Sequence, residues 1–186
     1  MTKLLLSELL TEEQCQDRVT EADLLSVAHF SSEARRRERL SWRALLYDFL
    51  GERVEIEYED DAPIVVGQDI HIGVSHTKDM VAVVVSDNPC AVDIERCDRD
   101  VKRISDRFFT EEEQSLATDN LAQLVVWCAR ECYYKLKRDK KIDILSDIRV
   151  TALDLESCRV TVTDCRGGSS EMKIKQTAEH IVVYVG

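Results

Sequence analysis

Ala91-Val92-Asp93-Ile94-Glu95 reads as an apolar strand carrying two acids. Its meaning depends on a second stretch, Trp127-Cys128-Ala129-Arg130-Glu131-Cys132-Tyr133-Tyr134-Lys135, which reads as a helix segment with one acid and two bases. Residues two apart on a strand point to the same face. Asp93 and Glu95 therefore project together, about 7 Å apart. Residues four apart on a helix share a face, so Trp127, Glu131 and Lys135 form one stripe with about 6 Å of rise per step. If strand and helix pack together, three carboxylates and a lysine converge. Such an all-oxygen donor set suits Mg2+ or Mn2+, ions that keep waters and bind substrate phosphates. Each half alone has a plainer explanation. Glu131 and Lys135 make a helix salt bridge in the favoured order, worth about 0.2–0.5 kcal/mol, and Asp93 with Glu95 makes an exposed strand face.

Working back from the strand, Ser86-Asp87-Asn88-Pro89 reads as a tight turn. It predicts that Met80–Val85, apolar throughout and so buried on both faces, forms a hairpin with the Asp93 strand. Before it, Lys78-Asp79 turns the chain. Ile70–Val74 alternates as a strand, with Ser75-His76-Thr77 after its end. A histidine there is structural or, flanked by hydroxyls, a phosphate contact. Residues 54–58 alternate apolar and acidic, a half-buried strand, and Ala62-Pro63 reads as a turn. The clearest helix of this half starts at a Ser31 or Ser32 cap and stops at Gly51. Leu40, Ala44, Leu46, Phe49 and Leu50 form its apolar face, and Arg35, Arg36, Arg37, Arg39 and Arg43 lie opposite. The arginines make a solvated face paired with Glu33 and Glu38, or an anchor for an anion. Arg36 and Arg43, seven apart, share one face. Residues 11–29 read as one or two helices and residues 3–10 as a strand.

Working forward, a helix is expected near Arg99–Phe109, and Thr110-Glu111-Glu112-Glu113 is a capping-box start for another. Residues 121–138 form the second long helix, its C-terminus complemented by Lys137, Arg138, Lys140 and Lys141. Arg149–Leu155, Cys158–Asp164, Met172–Thr177 and Ile181–Val185 read as an antiparallel meander. The fold class is α+β. Two halves, 1–88 and 89–186, share an order of elements without any residue-level repeat.

The chain has 186 residues, 44% hydrophobic and 33% charged, with a formal net charge of -11. That acidity argues against nucleic acid, whose backbone would repel it, and restricts an anionic ligand to a local basic patch. Cysteines 15, 90, 97, 128, 132, 158 and 165 include no C-x-x-C pair. Free thiols in a reducing compartment are expected rather than disulfides or zinc. The opening residues read as neither signal peptide nor membrane span, and a cytoplasmic protein is the expectation.

Two motifs together resemble the paired signatures of the 4'-phosphopantetheinyl transferases. Val92-Asp93-Ile94-Glu95 resembles the family's Gly-(Ile/Val)-Asp-x-Glu. Trp127-x-x-Arg130-Glu131-x-x-x-Lys135 resembles its (Trp/Phe)-x-x-Lys-Glu-x-x-x-Lys. Ile72-Gly73-Val74-Ser75-His76-Thr77, Phe108-Phe109-Thr110-Glu111-Glu112-Glu113 and the arginine helix resemble further family segments, so the likeness covers about residues 30–136. Ala91 stands where the family has Gly, and Arg130 where it has Lys. The length points to the surfactin-synthetase-activating type, a single chain of two pseudo-symmetric α/β halves with the site at their interface.

The resemblance implies transfer of the 4'-phosphopantetheine arm of coenzyme A to a serine of an apo acyl or peptidyl carrier protein, releasing 3',5'-ADP, in lipid or secondary-metabolite biosynthesis. It implies Asp93, Glu95 and Glu131 as ligands of Mg2+, or of Mn2+ in its place. Glu131 or a metal-bound water is then the base, and Lys135 steadies phosphate charge. Ser75, His76, Arg36, Arg37 and Arg43 are the coenzyme A contacts. The expected species is a monomer, with neither nucleic acid nor membrane as partner. Two rivals are a non-catalytic coenzyme A or carrier-docking module, supported by Arg130 alone, and an unrelated Mg2+-dependent phosphoester hydrolase.

Overall fold

The computed structural model describes all of residues 1–186, in two runs of elements. The first is β1 (Lys3–Glu8), α1 (Glu12–Gln16), α2 (Glu21–Val27), α3 (Glu33–Leu50), β2 (Ile56–Glu59), β3 (Ala62–Val65), β4 (His71–His76) and β5 (Met80–Ser86). The second is β6 (Ala91–Arg96), α4 (Lys102–Phe108), α5 (Glu111–Leu116), α6 (Asn120–Lys137), β7 (Ile148–Asp154), β8 (Arg159–Asp164), β9 (Ser169–Gln176) and β10 (His180–Val185). Each run is a strand, two short helices, an 18-residue helix and four strands. Helices and antiparallel sheets are both extensive, which is the expected α+β class.

Local chemistry sets the helix ends. The Ser32 hydroxyl accepts the Arg35 amide and Gly51, at φ 76, closes α3 in the left-handed region. Thr110 and Glu113 satisfy each other's amides as a capping box at the start of α5. Thr11 with Gln14 does the same for α1.

The sheets are ordered β1-β5-β4 and β6-β10-β9-β8-β7, with β2-β3 as a separate hairpin. All pairings are antiparallel. In both larger sheets the first strand of a run pairs with its last strand, so each run's ends are brought together. The expected meander of the four C-terminal strands is present.

β5 is buried on both faces, as its unbroken apolar run predicts. Val81, Val83 and Val85 pack under α3 with Leu40, Ala44 and Leu46, while Ala82 and Val84 face the other way, onto Val92, Ile94 and Val182. The second sheet buries its far face under α6, with Ile181 and Val183 against Val125, Cys128 and Ala129. The result is layered as helix, sheet, sheet, helix. Burying a Val or Leu side chain contributes roughly 1.5–3 kcal/mol, so the shared middle layer holds the runs together.

Two local expectations fail for stated reasons. β6 does not form a hairpin with β5; its ladder partner is β10. Val92 and Ile94 satisfy their apolar faces by stacking on β5 across the layer, and the turn after Ser86 carries the chain from one sheet to the other. Ala62-Pro63 is not a turn but the start of β3. The turn is Asp60-Asp61, with φ 48 and 67, the doubly left-handed pair of a two-residue hairpin.

Where β4 lies against β6, space is minimal. A Cβ on Gly73 would sit 2.9 Å from Ala91 Cα and 2.9 Å from Val84 Cγ1. Gly73 is therefore required by close approach rather than by a turn. Ala91, where the resembling family has Gly, sits in regular strand without positive φ.

Candidate functional site

A cleft of about 620 Å³ opens where the two runs meet. α3 contributes Arg35, Glu38, Arg39 and Trp42, with Phe30 just ahead of it. The β2–β3 hairpin contributes Tyr58, Asp61 and Pro63. β4 contributes Val74, Ser75 and His76, β6 contributes Asp93, Ile94 and Glu95, and α6 contributes Glu131 and Lys135. Asp93 and Glu95, two apart on β6, and Glu131 and Lys135, four apart on α6, line one wall.

Asp93 is the centre of that wall and is buried. Its Oδ1 accepts Lys135 Nζ at 2.6 Å and Ser75 Oγ at 3.0 Å, and Lys135 Nζ also donates to Ser75 Oγ at 3.0 Å and to the Val92 carbonyl at 3.3 Å. Its Oδ2 accepts the Cys128 thiol at 3.2 Å. Glu95 pairs with Arg99. Burial, then the Asp93 charge, raises the Glu95 carboxyl above its ordinary value despite Arg99. The same two causes raise Glu131, against Lys135 and Arg99. Burial acts to lower Lys135, but the charge of Asp93 and its hydrogen bond outweigh that and raise it. Burial and Asp93 push the Cys128 thiol well up, so it is a protonated donor.

At the other end the cleft is cationic and aromatic. Arg39 bonds the Tyr58 hydroxyl, with its guanidinium carbon 5.0 Å from the Tyr58 ring centre; Arg35 and Arg39 each stand 5.9 Å from that of Phe30. His76 is exposed, 3.5 Å from Glu38.

The arginines singled out from the sequence do not line the cleft, although Arg43 Nη2 donates to the hydroxyl of the cleft-lining Tyr58 at 3.2 Å. Arg36 donates to Glu12 at 2.9 Å and to the Phe30 carbonyl at 2.7 Å. Arg37 donates to the Leu10 carbonyl at 3.0 Å. Arg43 is buried, with Nε 2.8 Å from Asp23 Oδ1 and its guanidinium carbon 4.4 Å from the centre of the Trp42 ring. None of the three lines the cleft. The cause is helix phase: Arg36 and Arg43 share the stripe of Leu40 and Tyr47, which faces the core, whereas Arg35, Arg39 and Trp42 share the stripe facing the cleft. The spacing 35, 39, 42 was the available signal. Tyr58 and Phe30 carried none, because only the tertiary fold brings them there.

Arg130 is also outside the cleft. It is fully buried, and all five of its N–H donors are used. Nε donates to Glu113 Oε1 at 3.0 Å, and Nη2 to Glu113 Oε2 and the Phe108 carbonyl. Nη1 donates to the carbonyls of Ile144 and Leu145. Glu113 accepts the Val150 and Thr110 amides with its remaining lone pairs. Trp127 packs against the core under Arg99, whose guanidinium carbon is 5.9 Å from the ring centre.

The donor chemistry of the wall fits a hard divalent cation. Its carboxylates repel one another, and that excess negative charge is what an ion would relieve. The side chains as placed do not gather three ligands around one point, because Lys135 and Ser75 engage Asp93 and Arg99 engages Glu95. Closing on an ion requires those cations to turn aside.

A second groove of about 280 Å³ adjoins the cleft and shares Asp61, Pro63, Val74 and Lys135 with it. Ile72, Ala62, Ala91 and Tyr134 give it apolar walls, and Arg138 and Lys140 line it together with Asp60, Asp61 and Asp139. No helix is long and apolar enough to cross a membrane, and all seven cysteines are free.

Residues 89–184 match the family model described as the 4'-phosphopantetheinyl transferase superfamily. No curated protein matches the chain.

Proposed function

The chain belongs to the 4'-phosphopantetheinyl transferase superfamily, and on that premise we propose that it moves the 4'-phosphopantetheine arm of coenzyme A onto a serine of an apo acyl or peptidyl carrier protein. The observation that carries this reading is Lys135 Nζ, bonded at once to Asp93 of β6 and Ser75 of β4. It ties the family-matched acids to a cationic, aromatic pocket built by the other run of elements. We read residues 1–88 and 89–186 as two pseudo-symmetric halves with the site at their interface, the surfactin-synthetase-activating arrangement. The repeated order of elements supports this.

In this mechanism Arg35, Arg39 and His76 neutralise the phosphates of coenzyme A, in place of Arg36, Arg37 and Arg43, which are engaged internally. Phe30 and Tyr58 offer flat faces to its base. Ser75 anchors Asp93 and Lys135 from the β4 side. Asp93, Glu95 and Glu131 would hold Mg2+, or Mn2+, which would supply Lewis-acid neutralisation of the pyrophosphate. The carrier serine Oγ forms a bond to the arm's phosphorus, and the bond from that phosphorus to the bridging oxygen breaks. 3',5'-ADP departs with the electron pair. The serine proton passes to Glu131, which lines the same wall as Lys135. Lys135 stabilises charge on the transferring phosphate. The groove beside Lys135 offers a carrier apolar contact through Ile72, Ala62, Ala91 and Tyr134, while its bases Lys135, Arg138 and Lys140 are matched by Asp60, Asp61 and Asp139. Both walls of the cleft come from one chain, so a monomer suffices, and the free thiols suit a reducing cytoplasm.

The non-catalytic reading rested on Arg130, which touches no part of the cleft. The test is incubation of purified protein with Mg2+, coenzyme A and a panel of apo carrier proteins, read by intact mass. Gain of the arm's mass on a carrier is the expected result. Product release from coenzyme A without any carrier would instead identify a hydrolase.

A further inference from the structure

Asp93 has two carboxylate oxygens with different partners. Oδ1 accepts from a lysine and a serine, both at the cleft. Oδ2 accepts from Cys128 Sγ alone, at 3.2 Å, on the side away from the cleft. Cys128 is fully buried among Val125, Ala129 and Ile181, and the nearest other acceptor of its thiol is the Ile181 carbonyl, at 3.9 Å. It lies on α6 one residue past Trp127 and three before Glu131, where helix phase turns it under β6 instead of into the cleft.

We propose that Cys128 is a positioning residue for the metal-binding carboxylate, its thiol holding Asp93 by the rear oxygen so that the front oxygen meets the ion. The inference rests on the metal-site reading above and deepens it. A ligating carboxylate needs its rotamer held, because a freely turning ligand loses entropy on closing round an ion, and partners behind the ligands commonly set metal affinity. A thiol suits this position on two grounds. Its long C–S bond reaches Oδ2 from a helix packed at the distance that Val125 and Ala129 impose. A thiol is also a weak donor, so it orients the carboxylate while withdrawing little of the charge that the ion requires. Asp93 must release Lys135 from Oδ1 to take an ion there. Ser75 shares Oδ1 with Lys135, so the Cys128 bond is the one contact on the opposite oxygen and stays in place when Oδ1 changes partners.

The test compares Cys128→Ser with Cys128→Ala, two side chains of similar size of which only Ser can donate. Mn2+ binding is followed by the loss of the free-ion electron paramagnetic resonance signal. Thermal melting in chelator checks that each variant is folded, and arm transfer is followed as kcat and KM. The expected result is a Mn2+ Kd about tenfold higher for Cys128→Ala, within the range typical for partners behind a metal ligand. Cys128→Ser, which keeps a donor but on a shorter bond, should lose less than Cys128→Ala. KM for the carrier should hold while kcat falls. Equal Mn2+ affinity in both variants and the unaltered chain overturns the inference, and so does equal loss in both, which would mean packing alone. If the unaltered protein binds Mn2+ but never transfers the arm, the transfer reading fails while the role of Cys128 is still decided by the binding comparison. If it binds no Mn2+, the metal site and the inference fall together.

Discussion

Lys135 Nζ donates to Asp93 Oδ1 across 2.6 Å, joining the last turns of α6 to the middle of β6. In the proposed reaction that contact must open, with the ammonium passing to a phosphate as an ion takes its place. Lys135→Ala is therefore expected to lower kcat by about 10²–10³, the scale of losing one preorganised charge partner. Circular dichroism should show the fold retained. A loss confined to KM would show that Lys135 only binds.

Arg39 and Arg36 separate cleft from core-facing roles. Arg39→Ala should raise KM for coenzyme A about tenfold or more, since a hydrogen bond to a charged group contributes about 1.5–3 kcal/mol. Arg36→Ala should leave KM within about twofold, because its guanidinium is engaged by Glu12 and the Phe30 carbonyl. Steady-state kinetics with varied coenzyme A reads both, and the reverse order would return the anion site to the Arg36 face.

Arg130 tests a structural assignment. Removing one member of a buried ion pair leaves its partner uncompensated, at about 3–5 kcal/mol. Arg130→Met strands Glu113 and should lower the urea midpoint accordingly. The double variant Arg130→Met with Glu113→Gln should recover part of the loss, because no buried charge then remains. Arg130→Lys should be intermediate, since an ammonium has only three donors.

Gly73→Ala should destabilise the protein by about 1–3 kcal/mol, the usual range for overpacking. The added methyl would meet the Ala91 backbone, which cannot swing away. Thermal melting reads this, and an unchanged midpoint would mean that β4 and β6 separate more easily than their packing implies.

Asp79 gives a pH dependence. Burial acts to raise its carboxyl, but the Thr77 hydroxyl, His180 and Arg96 outweigh that and hold it at about 2. A depressed folded-state value means stability that is complete above the ordinary carboxylate range, near 4, and is lost as pH falls from there through about 2. Asp79→Asn should flatten that acid limb in melts taken between roughly pH 5 and pH 2. An unchanged slope would mean that other carboxylates govern acid unfolding.

Much of the architecture was legible because it is written in local chemistry. Ser32 and Gly51 bound α3, Thr110 and Glu113 start α5, and the unbroken apolar run of β5 announces burial on both faces. The two-residue and four-residue periods placed Asp93, Glu95, Glu131 and Lys135 on one wall. What misled was choice among faces. Arg36 and Arg43 do share a stripe, but spacing does not say whether a stripe meets the core or a cleft, and only the position of β5 under Leu40 and Ala44 decides that. Likewise an apolar strand after a tight turn is consistent with a hairpin or with a step to a second sheet. Stacking of Val92 and Ile94 on Ala82 and Val84 selected the step.

The sequence by itself determined the helix and strand periods, the caps and the clustering of acids, since these depend on neighbours within a few residues. The tertiary structure alone decided that Lys135 reaches Ser75, that Cys128 stands behind Asp93, that Arg130 is sealed against Glu113, and that Phe30, Arg39 and Tyr58 share a pocket. Those partners are 60, 35, 17 and up to 28 positions apart along the chain. Such contacts arise from how whole layers pack, because a side chain's own neighbours in sequence carry no information about what the opposing layer presents to it.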